Sequence, residues 1–171
     1  MVAIASAIGL FAASPAIAGA DRIRAEGELI RYDTAAVPEG ARARVQAVYT
    51  SAGDSIVTLH VWDLRPNTDY GAHAHVNPCG TTGLDAGSHF QNDIDSVQPS
   101  TNPAYANPAN EIWLDLTTGG DGNGVAQTKV PWQFSPARRA NSVVIHVEHT
   151  HTGQTDSGVA GARLACVTVG F

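Results

Sequence analysis

The chain has 171 residues, 43% hydrophobic and 15% charged, enough for one globular domain with an ordinary core and too few for two. Sixteen carboxylates stand against nine Arg and the single Lys129, a formal net charge of -6; no basic stripe exists to neutralise a phosphate backbone, which excludes nucleic acid as a partner. Apolar residues are too plentiful for global disorder, and the one uncharged run near membrane length is 1–20, so no mature transmembrane segment is expected.

That first run, VAIASAIGLFAASPAIA, ends on Ala16-Ile17-Ala18, a small-x-small pattern of the kind signal peptidase cuts. Residues 1–18 are read as a signal peptide whose basic n-region is missing, and 19–171 as the folded domain. The expected destination is outside the cytoplasm: secreted, periplasmic or in the cell envelope. In that oxidising setting the two cysteines, Cys79 and Cys166, favour one structural disulfide over two buried thiols.

Past the leader, short alternating runs predict strands at Arg24 to Tyr32, Arg42 to Thr50, Ile56 to Leu64, Gly71 to Val76, Ile112 to Leu116, Val125 to Val130, Ser142 to Glu148 and Leu164 to Val169. Turn residues separate them, as in Val37-Pro38-Glu39-Gly40 and Arg65-Pro66-Asn67-Thr68. Asp121-Gly-Asn-Gly resembles the start of a calcium loop, but Trp132 stands where a bidentate Glu is required; a hairpin turn is expected there. About eight strands at this spacing predict an all-β fold, an antiparallel Greek-key sandwich or barrel. Two long irregular stretches interrupt it, Asn77 to Glu111 and His149 to Ala160, and connections of that kind are usually functional. Half-buried strands mark no apolar interface, so a monomer is compatible with the pattern.

Seven histidines carry the chemistry: His60, His73, His75, His89, His146, His149 and His151. The i, i+2 spacing of His73 and His75 on an extended chain puts both imidazoles on one face, with Ala72, Ala74 and Val76 on the other. In the 142–147 run the apolar face is Val143, Ile145 and Val147, so His146 also points away from the core. His89, central in the first long stretch, is placed to cap them. Four neutral imidazoles without a thiolate suit a borderline transition metal, copper ahead of zinc. His60 alternates with Val57, Leu59 and Val61 and is expected to face solvent. His149 and His151 lie in a loop where their spacing fixes no common face.

In combination, Gly71-x-His73-x-His75, Cys79, Gly87-Ser88-His89-Phe90, Val144-Ile145-His146 and Gly161-Ala162-Arg163-Leu164-Ala165-Cys166 resemble the copper-zinc superoxide dismutases, most closely their exported, bacterial, zinc-deficient copper-only members. The resemblance spans about Leu29 to Val169. It implies His73, His75, His89 and His146 as copper ligands, Arg163 as the cation that receives the anionic substrate, and Cys79–Cys166 as the intrachain disulfide. It implies dismutation of superoxide to dioxygen and hydrogen peroxide, an antioxidant defence, with His89 carrying a proton. The alternative is a copper-binding or copper-delivery protein of the same fold without turnover.

Between His89 and Glu111 there is no histidine, so two zinc ligands of the complete enzymes are missing and zinc is expected to be absent. Glu111 and Asp115 fall near the places of zinc ligands, one residue out of the family's spacing. Glu111 is expected to accept a hydrogen bond from the free nitrogen of His89, as carboxylates around metal-bound histidines do. A rebuilt zinc site would have to draw on Glu111, Asp115, His149 or His151.

Overall fold

In the computed structural model, which describes residues 21–171, the alternating runs become nine strands. These are β1 (Asp21–Glu28), β2 (Ile30–Arg31), β3 (Arg42–Tyr49), β4 (Ser55–Trp62), β5 (Asp69–His75), β6 (Leu116–Thr117), β7 (Gly124–Val130), β8 (Ser142–His146) and β9 (Arg163–Thr168). They form two antiparallel sheets, ordered β1-β3-β4-β7 and β2-β9-β8-β5-β6. The all-β expectation is met by an open sandwich rather than a closed barrel. β7 pairs with β4 and not with its neighbours in sequence, so the chain crosses repeatedly between sheets, as Greek-key folds do. The expected leader lies outside the described residues, among which no helix is long and apolar enough to cross a membrane.

Period-two alternation builds the core. Ala43, Val45 and Ala47 of β3 and Val57, Leu59 and Val61 of β4 face inward against Tyr70, Ala72 and Ala74 of β5 and Val143 and Ile145 of β8. Each large apolar side chain buried this way contributes about 1.5–3 kcal/mol, so the inner faces alone drive assembly. The outer face of the second sheet is left free to carry polar groups.

Four expectations need adjustment. The first strand is two, because at Leu29 the chain leaves β3 for β9; the Leu29 side chain is buried in the core and its N–H donates to Ala41 O (2.9 Å). The segment 112–116 forms a regular ladder only at its end, although Ala74 N–H donates to Ile112 O (3.2 Å) and Leu114 N–H to Ala72 O (2.7 Å). The 119–124 turn is tight but joins β6 and β7 in different sheets, so it is not a hairpin turn; Gly122 has φ +76, and a Cβ there would lie 2.3 Å from Leu64 O. Finally, Val147 is half-exposed, because a register shift between Ile145 and His146 ends the β8 alternation.

Parts of the segments 76–111 and 147–162 form a third layer over the outer face of the second sheet, while 112–115 runs beside β5. A 3-10 turn, Gly83–Ala86, packs Ala86 against Val144 and Cys166. The disulfide Cys79–Cys166 ties this segment to β9 across 87 residues. Phe90 anchors it in the main core, edge-on to Phe134 (4.8 Å) and beneath the Arg138 guanidinium (4.6 Å). The second segment approaches β5 at Gly71, where a Cβ would meet Glu148 O at 2.5 Å and Ala160 Cβ at 2.7 Å; only a residue without a side chain permits that contact. Replacing both cysteines by serine is expected to lower unfolding stability by about 2–5 kcal/mol, read from the denaturant midpoint. An unchanged midpoint would show that the cross-link constrains nothing.

Candidate metal centre

The extended β5 presents His73 and His75 on its outer face, and antiparallel pairing with β8 sets His146 opposite Gly71, diagonal to His73. A β-bridge between His75 and His89 draws the third-layer chain alongside β5, held by Phe90 N–H to Ala74 O (2.8 Å) and Val76 N–H to Ser88 O (3.1 Å). One ring nitrogen from each of His73, His75, His89 and His146 lies within 4.8 Å of all the others. The rings do face away from the sandwich core, but not toward solvent: His73 and His75 are 0% exposed beneath the third layer.

The hydrogen bonds on the far side of each ring decide which nitrogen is turned inward. His75 Nδ1–H donates to Gly87 O (3.0 Å) and His146 Nδ1–H to Gly161 O (3.3 Å). His89 Nδ1–H donates to Glu111 Oε2 (2.9 Å). These three rings therefore keep a lone pair on Nε2. His73 is reversed: its Nε2 is 2.6 Å from Thr150 Oγ1, leaving Nδ1. Among the described residues, His73 Nδ1, His75 Nε2 and His146 Nε2 are buried without a partner. Three orphaned acceptors at one point, each costing about 1–3 kcal/mol when left unpaired, fit a cation.

The protonation states agree. Burial first, then the neighbouring imidazoles and Arg163, push His73 and His75 well below the ordinary histidine value. His146 is lowered to about 3, chiefly by burial and then by His89 and Arg163, against the Gly161 hydrogen bond. Neutral imidazole nitrogens with no thiolate suit copper ahead of zinc.

Glu111, 1% exposed, accepts from His89, from Trp113 Nε1–H (2.7 Å) and from Gln91 Nε2–H (2.8 Å). Asp115 accepts from Ala72 N–H (3.2 Å), Thr150 N–H (2.8 Å) and Thr150 Oγ1–H (2.6 Å). Arg163 stands opposite His146 in the β8–β9 pairing and donates to Gly83 O (2.7 Å). Burial lowers its pKa and the Tyr32 phenol raises it. Arg163, His89 and His146 line a cavity of about 220 Å³, together with Ser100, Thr101 and Gly161.

His149 and His151 are not part of the cluster. They turn to Leu116 O (3.1 Å) and Asp156 Oδ2 (2.9 Å). His60, half-exposed, stacks on Trp62. Sequence reasoning missed Thr150, Gln91, Trp113 and the carbonyls of Gly83, Gly87 and Gly161. A signal existed for Trp113: Ile112, Leu114 and Leu116 are buried in the core, so the same alternation turns Glu111, Trp113 and Asp115 toward the centre.

No family model matches the chain. Over 115 residues it is 29% identical to a copper-zinc superoxide dismutase of Francisella tularensis subsp. holarctica (strain LVS), a match covering 65% of this chain and 61% of that protein. Among solved structures, the Cu/Zn superoxide dismutase from Brucella abortus superposes with TM-score 0.58 at 18% identity, covering 85% of this chain and 98% of the other. A SOD-like protein from Bacillus subtilis gives 0.58 at 16% (86% and 97%), and the clock protein EA4 gives 0.60 at 18% (92% and 99%). The structural matches establish the sandwich fold; the sequence match is to a copper-zinc superoxide dismutase of which the chain spans less than two thirds, and the clustered histidines fit a copper site.

Proposed function

We propose that this chain is a copper-dependent superoxide dismutase acting outside the cytoplasm, with His73 Nδ1 and the Nε2 atoms of His75, His89 and His146 as the copper ligands. The observation that carries it is the set of buried, partnerless imidazole nitrogens on His73, His75 and His146, the last of which, with His89, reaches a cavity that also holds Arg163. Bound there, copper would supply one-electron chemistry, oxidising one superoxide to dioxygen and reducing the next to peroxide.

The protein supplies the rest. Arg163, half-buried and fixed by Gly83 O, gives the cavity a local positive charge that draws in a small anion against the net charge of -6. His89 is the most exposed ligand, at 17% of its side chain, and lines the cavity; it is the imidazole whose Nε2, if freed from the metal, would take a proton from solvent and hand it to a reduced product. Glu111 keeps that ring oriented by holding Nδ1–H. Because Glu111 occupies that nitrogen, and His149 and His151 bond elsewhere, copper alone is the proposed metal complement. The disulfide is compatible with export, and the proposed domain runs from 19 to 171, after a leader at 1–18.

The deciding experiment is reconstitution with copper, quantification of copper and zinc, and an assay of superoxide disappearance. One equivalent of copper with catalytic turnover is expected. Stoichiometric copper without turnover would favour the copper-binding alternative instead. Arg163→Ala is expected to lower the rate about tenfold or more, and to weaken its ionic-strength dependence, with copper content unchanged; loss of copper would overturn the assignment of Arg163.

Stability of the metal-free protein should depend on pH in a defined direction. An unfolded histidine protonates near 6.5, but folded His146 does so only near 3, so below about pH 6.5 the unfolded state binds more protons. The melting temperature of the metal-free protein is therefore expected to be highest above that value and to fall as the solution is acidified to about pH 5. Copper loading is expected to raise it by mass action. A melting temperature that rises on acidification would contradict the buried neutral imidazoles.

A further inference from the structure

We propose that Thr150 is a positioning residue: its hydroxyl transmits the hold of the Asp115 carboxylate to His73 and reserves the Nδ1 of that ring for the metal. The inference rests on the copper reading above and extends it to a residue that touches no substrate.

The argument is one of counting protons. Thr150 Oγ1 lies 2.6 Å from Asp115 Oδ1 and 2.6 Å from His73 Nε2. A hydroxyl has one proton to give, and an ionised carboxylate only accepts. The threonine proton therefore goes to Asp115, and Oγ1 must accept from His73 Nε2–H. That fixes a single tautomer with its lone pair on Nδ1, the atom left buried and partnerless in the cluster. The ring is 0% exposed, so bulk water offers no competing partner.

The carboxylate at the far end is immobilised as well. It accepts from Ala72 N–H on the strand and from Thr150 N–H on the covering segment, so one side chain clamps both elements that the relay joins. A third feature makes the contact possible. Gly71, two residues before His73, lets the backbone at Glu148 sit against β5, and a Cβ there would also come within 3.5 Å of Thr150 N. On either side of Thr150, His149 and His151 turn outward to other partners, so this stretch delivers to the centre a hydroxyl and no imidazole. Threonine suits the task because its branched Cβ restricts χ1 and aims the oxygen.

The test compares wild type with Thr150→Val and Thr150→Ser by nitrogen NMR of the metal-free imidazoles, chelator competition for copper(II) and electron paramagnetic resonance of the copper-loaded protein. Expected are a pure Nε2–H tautomer for His73 in wild type, and a mixture in Thr150→Val. Copper(II) affinity is expected to fall about 10–100-fold in Thr150→Val with altered copper hyperfine splitting, and to return to near wild type in Thr150→Ser. An Nδ1–H tautomer in the metal-free wild type would overturn the proposal whether or not the valine variant folds. So would a Thr150→Val protein with wild-type tautomer and affinity. A wild type with the expected tautomer but no bound copper would support the relay and overturn the copper reading instead.

Discussion

Four imidazole rings can present their lone pairs to a common point only if the opposite nitrogen of each is committed elsewhere. In this protein the commitments are Gly87 O for His75, Gly161 O for His146, Glu111 for His89 and Thr150 for His73. Two are backbone carbonyls at glycines of positive φ, Gly87 (+74) and Gly161 (+71); two are side chains held by further hydrogen bonds. Burial then lowers the proton affinity of His73, His75 and His146, so these rings are neutral and ready to donate electrons to a cation. The unpaired nitrogens are a penalty in the metal-free fold, and that penalty makes the site selective for occupancy by a positive ion.

The sandwich bears this cost because its two faces have separate duties. Apolar side chains between the sheets supply the folding free energy, while the opposite face of the second sheet carries the histidines beneath a layer with little regular structure. That layer is not loosely attached. Cys79–Cys166 fastens one end, Phe90 plugs into the core beside Phe134, and Asp115 stitches the second segment to β5. His89, on an irregular chain segment, is thus anchored from both the core and the strand beside it.

Much of this was legible in the residues. Period-two alternation gave the strands and assigned His73, His75 and His146 to one side of a sheet, and the cysteine count gave the cross-link. Alternation reports which face a side chain takes, however, and says nothing about what covers that face; hence the complete burial of His73 and His75 was not foreseeable. Nor does pattern reveal acceptors that every residue owns. The carbonyls of Gly83, Gly87 and Gly161 matter through position alone, and Thr150 sits between two histidines that draw attention from it. The sheet change at Leu29 leaves only one mark in the run from 24 to 32, the consecutive apolar pair Leu29-Ile30, and the pairing partners on its two sides cannot be read from pattern.

Gly71 gives the design an unexpected lever. The clearance between strand and covering segment is set by a missing methyl group, so a single carbon atom added at that point would act as a wedge, prising the lid from the histidine floor without altering any atom that coordinates or hydrogen-bonds to the centre. How tightly a metal ion would be kept at this site is in this sense governed by an empty space a few ångströms away, and leakiness could be graded by the size of what is put into it.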